Sequence, residues 1–256
     1  LQANNGNINL TQPVASSNGS ISVDASQGAI VASGGGLNAA QLVLRARDGI
    51  DGTTPLPVLA STLQALNSGN GDIRITNGAS ALVLDDITSS GYAVRQQGSG
   101  AIRITSGGVG PLAINAPLQT VSGDIQLIAP SIAFANSSNA KLDAGDGSVL
   151  LRASGADGIV LPAASQIKIN GSGESGTRVE LETDSLTLGG TIQAGLINGT
   201  GHVNIAPVSN LPLVVESVPV AGHLSLAPGA LGHISGSGLS LTNYNGNTGV
   251  TFADAL

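Results

Sequence analysis

The stretch Gly71-Asp72-Ile73-Arg74-Ile75-Thr76 (GDIRIT, 71–76) decides the fold. Alternation puts Ile73 and Ile75 on one face and Asp72, Arg74 and Thr76 on the other. That is a short strand with one buried face, entered from a glycine turn. The phrase returns as NGNINL (5–10), NGSISV (18–23), GAIRIT (100–105), GDIQLI (123–128), GSVLLR (147–152), GHVNIA (201–206) and GHLSLA (222–227). The same parity pairs Ile102 with Ile104, Ile125 with Leu127, and Val203 with Ile205. Recurrence at roughly 20–50 residues marks a stacked solenoid rather than an ordinary globule.

Between these phrases lie further short apolar runs, at 42–44, 82–84, 112–114, 159–161, 167–169, 179–181, 186–188, 213–215 and 239–241. Most are bounded by Gly, Asn, Ser, Asp or Pro. Two or three short strands per period describe the coil of a parallel β-helix. The chain is therefore expected to be all-β, about 10–12 coils in one solenoid spanning residues 1–256. The expected core is an aliphatic ladder built from Ile73, Ile75, Ile102, Ile104, Ile125, Leu127, Val203 and Ile205. Glycine-phrase spacing loosens over 28–71 and 171–201, which predicts longer, looped coils there. One segment carries a second periodicity. Leu56, Leu59, Leu63 and Leu66 suit a helix by spacing, with Pro55 and Pro57 at its start. The competing expectation is an irregular coil corner with Val58 and Leu59 facing inward.

Composition agrees with a rod. Hydrophobic residues make up 41% of the chain, so a core is affordable, but aromatic residues are only 2% and aliphatic side chains must fill it. A net charge of −7, with nine scattered basic residues, argues against nucleic acid as a partner. No run of 18 apolar residues reads as a membrane helix, and no basic-then-apolar leader opens the sequence. The absence of Cys excludes disulfides and thiolate metal sites. The absence of Met makes the chain read as an excised piece of a longer protein. Repeat-like sequence at both ends (6–10 and 249–252) predicts an open strand edge at each.

Three phrases, LVLRARDGI (42–50), TLQALNSGNGDIRITN (62–77) and GSVLLRASGADGIVL (147–161), resemble the repeat region of filamentous-haemagglutinin-like exoproteins of Gram-negative two-partner secretion. The resemblance implies a right-handed parallel β-helix shaft, exported through an outer-membrane transporter to the cell surface or the medium. The family's secretion domain carries Asn-Pro-x-Gly motifs, and no Asn-Pro occurs here. The likeness is therefore to shaft, not to the secretion module.

Few residues invite chemistry. His202 and His223 share the phrase Gly-His-aliphatic and lie 21 residues apart, with His233 in a similar phrase. On neighbouring coils His202 and His223 would stand side by side and offer a weak metal site or a pH-sensitive patch. The same slot holds Asp72, Asp124, Ala101, Ser20 and Ser148, which favours a tolerant outward position. Asp85-Asp86, Asp72 and Asp124 invite comparison with pectin-cleaving β-helices. Those need carboxylates gathered in a groove, and sugar platforms are limited to Tyr92, Tyr244, Phe134 and Phe252. The Asp/Gly clusters at 48–52 and 143–148 lack the tandem nonapeptide of calcium β-rolls and read as turns. Gly34-Gly35-Gly36 is followed by no Gly-Lys-Ser/Thr and reads as a flexible corner. Arg74 and Arg103, with Arg45, Arg47 and Arg152, form either a sparse stripe for anionic glycans or solvated charge that keeps the wall soluble.

The expectation is a structural, non-enzymatic rod with no cofactor and no catalytic residues. Its partners would be neighbouring β-helix segments, other copies of itself, and host or surface glycans. The alternatives are a self-assembling extracellular fibre or biofilm-matrix subunit and, third, a polysaccharide-active enzyme.

Overall fold

A computed structural model describes residues 1–52, 54–171, 176–195, 201–218, 220–242 and 250–253, the side chain of Phe252 excepted. Tyr244 and Gly249 lie outside the described residues. The chain is a parallel β-helix, and every strand pairing among the described residues is parallel.

GDIRIT sits in the middle of the longest ladder. Its inward first position stacks Ile8, Ile30, Ile50, Ile73, Ile102, Ile125, Val149, Val179 and Val203 in register, and Leu239, exposed at the end of the stack, makes the tenth rung. At about 4.8 Å per rung this face is roughly 45 Å long. A second face stacks Leu82, Leu112, Ile132, Ile159 and Leu186. A third stacks Val23, Leu44, Ala65, Val94, Leu118, Leu142, Ile167, Ile192 and Ile234. The inward residues of all three faces form one continuous core from Leu10 to Ala230. Each predicted ladder residue from Ile73 to Ile205 is at most 1% exposed. Stacking also pairs the backbone polar groups between coils, so the wall needs no further partners.

The first coils are built differently from the rest. Strands Val14–Ala25, Leu37–Ala46 and Leu56–Asn67 are long and bend round a corner. Inward residues fall at Leu56, Val58 and Ala60, then at Leu63, Ala65 and Asn67, so the parity switches at the bend. This switch produces the 3-4-3 leucine spacing that mimics a helix. Strand parity also turns Leu59 outward, 47% exposed, while Val58 faces in; the expectation that both are buried is half wrong. The loosening over 28–71 is corrected as well. Those coils are tight, the step from Ile30 to Ile50 being 20 residues; only the glycine phrase is missing. The extra length lies elsewhere, as in the 30-residue step from Val149 to Val179.

In the middle of the rod the glycine that opens the phrase serves close packing rather than an unusual φ, whereas Gly6 and Gly222 take left-handed φ angles of 84° and 97° with open space about them. A Cβ at Gly123 would overlap the Gly100 carbonyl, and one at Gly147 the Gly123 carbonyl. Neither glycine has a left-handed φ, so the corner admits only hydrogen because the coils touch backbone to backbone.

At the C-terminal end the order breaks. Leu224–Leu226 pairs with Leu213–Val215, which pairs in turn with Val250–Phe252, so the strand order is not the chain order. Leu224–Leu226 also contacts Leu186–Leu188 of the coil beneath, although it follows Leu213–Val215 in sequence. A four-residue helix, Pro228–Leu231, then leads back to the third face.

Candidate functional site

The third face carries the main departure from a plain wall. Between strands Leu82–Leu84 and Val94–Gln96 the segment 85–93 arches over the outside of the rod. Its anchor is Gln64. Leu63 and Ala65 face the core, so Gln64 points outward, yet it is fully buried because the arch covers it. Gln64 Nε2 donates towards Asp86 Oδ1 (2.8 Å), Ser90 Oγ (2.9 Å) and the Tyr92 carbonyl (2.8 Å), and Oε1 accepts from Thr88 Oγ1 (2.9 Å). Asp86 closes the arch by accepting from the backbone N–H groups of Ser90 (2.8 Å) and Gly91 (2.7 Å). Burial raises the Asp86 pKa, but the bonds from Gly91, Ser90 and Gln64 together outweigh it and hold the carboxyl below its ordinary range. Ser89 and Gly91 take left-handed φ angles of 57° and 89° to make the turn.

The arch forms one bank of a cleft of about 250 Å³ lined by Asp24, Arg45, Leu66, Ser90, Tyr92 and Arg95, among others. Asp24, Arg45, Leu66 and Arg95 occupy successive rungs of one outward column. The Arg95 guanidinium lies 4.5 Å from the centroid of the Tyr92 ring. Arg45 Nη2 donates to Thr88 Oγ1 on the arch (3.0 Å).

The remaining arginines are occupied. Arg103 binds Asp72 of the coil beneath at 2.6 Å, Arg74 faces Asp51 at 3.7 Å, Arg152 faces Glu182 at 3.3 Å, Arg178 faces Glu180 at 3.3 Å, and Arg47 pairs with its neighbour Asp48. Arg74, Arg103 and Arg152 face outward as expected, but as members of ion pairs between coils. Arg45 and Arg95 alone among the arginines have no carboxylate within salt-bridge distance, among the described residues, and both line the cleft.

The aspartates of the glycine phrase are not a tolerant decoration. Asn7, Asp72 and Asp124 each accept from the backbone N–H at the same slot one coil on, namely Ala29 (2.9 Å), Ala101 (2.8 Å) and Ser148 (2.9 Å). They clip successive turns together. Ser20 belongs to another face and bonds Gln41. Nor do the acids converge on one groove: Asp72 and Asp124 edge the first face, whereas Asp85 and Asp86 lie in the arch. In the Asp/Gly clusters, Asp143 bonds Lys168 (2.9 Å) and the Gly145 N–H. Burial raises the Asp51 pKa against the opposing pull of Arg74. The corner at Gly34-Gly35-Gly36 is held by Ser33 and Gly35 N–H bonds to the Leu10 carbonyl.

The histidines do not stack. His202 is in register with Arg178 on one side and Gly238 on the other. His223 lies at the out-of-order strand and bonds Glu216, which also accepts from Ser225 Oγ. A 21-residue separation suggested adjacent rungs, but the coil after Val203 takes 36 residues to reach Leu239 and encloses the extra strand. Among the described residues no group of three or more His, Asp or Glu side chains is placed to hold a metal ion.

A buried polar corner went unread in the sequence. Asn67 and Gln96 stack in register and bond each other (3.1 Å). Asn67 also accepts from the Gly49 N–H (2.9 Å) and donates to the carbonyls of Gly69 and Gly71 (3.0 and 2.9 Å). Both side chains are at most 1% exposed. The signal was the inward parity of Asn67, two places after Ala65.

Comparison with known proteins gave no matching family, no matching curated protein and no matching solved structure.

Proposed function

We propose that the chain is a structural rod, a stretch of the shaft of a secreted or surface-displayed Gram-negative adhesin, which carries attachment or spaces a tip from the cell. On this reading it leaves through an outer-membrane transporter, contacts neighbouring β-helix segments or other copies, and performs no catalysis. The ten-rung aliphatic ladder is the observation that carries the proposal. It joins the coils into one continuous core, and several outward charges pair from coil to coil, as Arg103 does with Asp72. Such a body transmits load along its axis and can be lengthened coil by coil. Antibodies raised against the chain are expected to label intact cells that produce it, and external protease to strip the label. Labelling only after lysis would overturn the reading.

A further inference from the structure

We propose that the cleft beneath the arch binds one acidic sugar unit, a carboxylate-bearing polyol the size of a uronic acid. The inference goes beyond the rod and stands on the cleft alone, wherever the chain resides.

Three observations lead to it. The first is charge. In a protein of net charge −7, five of seven arginines are neutralised by carboxylates, and the two that have none among the described residues share this cleft. Arg45 spends one N–H on Thr88, and Arg95 spends none on any described group. Guanidinium forks left unspent match a carboxylate in geometry and charge. They are also preorganised, Arg45 by the arch and Arg95 by the Tyr92 ring, which lowers the ordering cost of binding.

The second is an acceptor. Asp24 lines the same cleft, and its Oδ1 is buried with no hydrogen-bond partner among the described residues. A carboxylate is an acceptor-only group, and Asp24 at the cleft wall gives a ligand hydroxyl something to donate to. Carboxylate and hydroxyl on one small molecule meet both demands.

The third is size and floor. The cleft, about 250 Å³, lies just below the usual range of small-molecule pockets, roughly 300–1,000 Å³, and so suits a single ring. Leu66, between Arg45 and Arg95 in register, gives it an apolar floor for the C–H face of a pyranose.

Calorimetric titration of the full chain at low salt, with sodium glucuronate, glucose and sodium acetate as probes, tests this. Glucuronate is expected to bind saturably in the millimolar range, with glucose and acetate at least about tenfold weaker. Arg95→Gln and Arg45→Gln should each weaken glucuronate by about tenfold or more, whereas Arg103→Gln, at a paired site, should not change it. Circular dichroism separates loss of binding from loss of fold, and Arg95→Gln leaves the Arg45–Thr88 bond to the arch in place. A trigalacturonate arm distinguishes sources: binding of the trimer assigns a unit within a polysaccharide, and its exclusion while glucuronate binds assigns the free acid. The proposal is overturned by absent glucuronate binding, by glucose or acetate binding equally well, or by unchanged affinity in both arginine variants.

Discussion

The middle of the rod and its C-terminal end use the same local phrase and stack it differently. From Ile73 to Val179 each strand of the first face rests on its predecessor, and chain order equals stacking order. GHLSLA, at 222–227, matches those phrases in parity, with Leu224 and Leu226 buried. Yet it pairs with Leu213–Val215, only one short loop earlier, on a separate three-stranded sheet. The phrase specifies a strand and its inward face. It does not specify the strand above or below, because any aliphatic pair in parallel register satisfies the same ladder. In the middle, intervening strands of fixed number set the partner. At the end, the loop from Glu216 to His223 is too short for a full coil, and the strand docks beside its immediate predecessor.

The largest expected effect removes a coil. Deleting residues 102–124 excises one full turn and brings Ile125 onto Ile73 with all three faces in order. This variant should keep its β-sheet circular dichroism and cooperative melting. Deleting only 102–111 leaves the second-face strand out of sequence and should abolish cooperative unfolding. If both deletions melt alike, register does not govern the middle.

Next comes a comparison of single rungs. Ile125→Ala should cost about 2–5 kcal/mol, since the residue is fully buried with neighbours on both sides. Leu226→Ala empties a comparably buried site, but its effect should stay at the end of the stack, as solenoid stability is a sum of neighbour terms. Hydrogen exchange would show this as lost protection in 213–226 with Ile125–Ala129 unchanged. Loss of protection throughout would sink the distinction.

The smallest effect is one of pH. Glu216 joins the two strands of the out-of-order layer through Ser225 and His223. The Ser225 hydroxyl bond lowers its pKa most, burial opposes, and His223 lowers it further, leaving the carboxyl below its ordinary value. A carboxyl depressed in the folded state contributes stability above its unfolded pKa and loses it as pH falls through the folded value. The C-terminal layer should therefore lose protection, relative to the intrinsic exchange rate, as pH falls below the ordinary glutamate value of about 4.3, while protection in the middle ladder does not respond. Glu216→Gln should remove that pH dependence.

Much of this architecture was legible because a strand of period two states its buried face residue by residue. Ile73, Ile102 and Ile125 were readable as one ladder from alternation and glycine turns alone. Leu59 was misjudged because a bend that switches parity looks, in one dimension, like helical spacing. Asn67 and Gln96 are not legible in the sequence, because polar residues two places before a glycine read as turn. Only three dimensions show that they face inward and satisfy the carbonyls of a tight corner. The cleft was out of reach for a related reason. Gln64, Asp86 and Arg95 are ordinary polar residues until the arch folds over the third face.

The sequence by itself determined the strands and their inward aliphatic faces, since both follow from local alternation. The tertiary structure alone decided which coil lies on which, which arginines are neutralised, and that Arg45 and Arg95 meet Asp24 in one cleft. Those depend on the number of residues between rungs and on where a loop closes, and no local pattern encodes either.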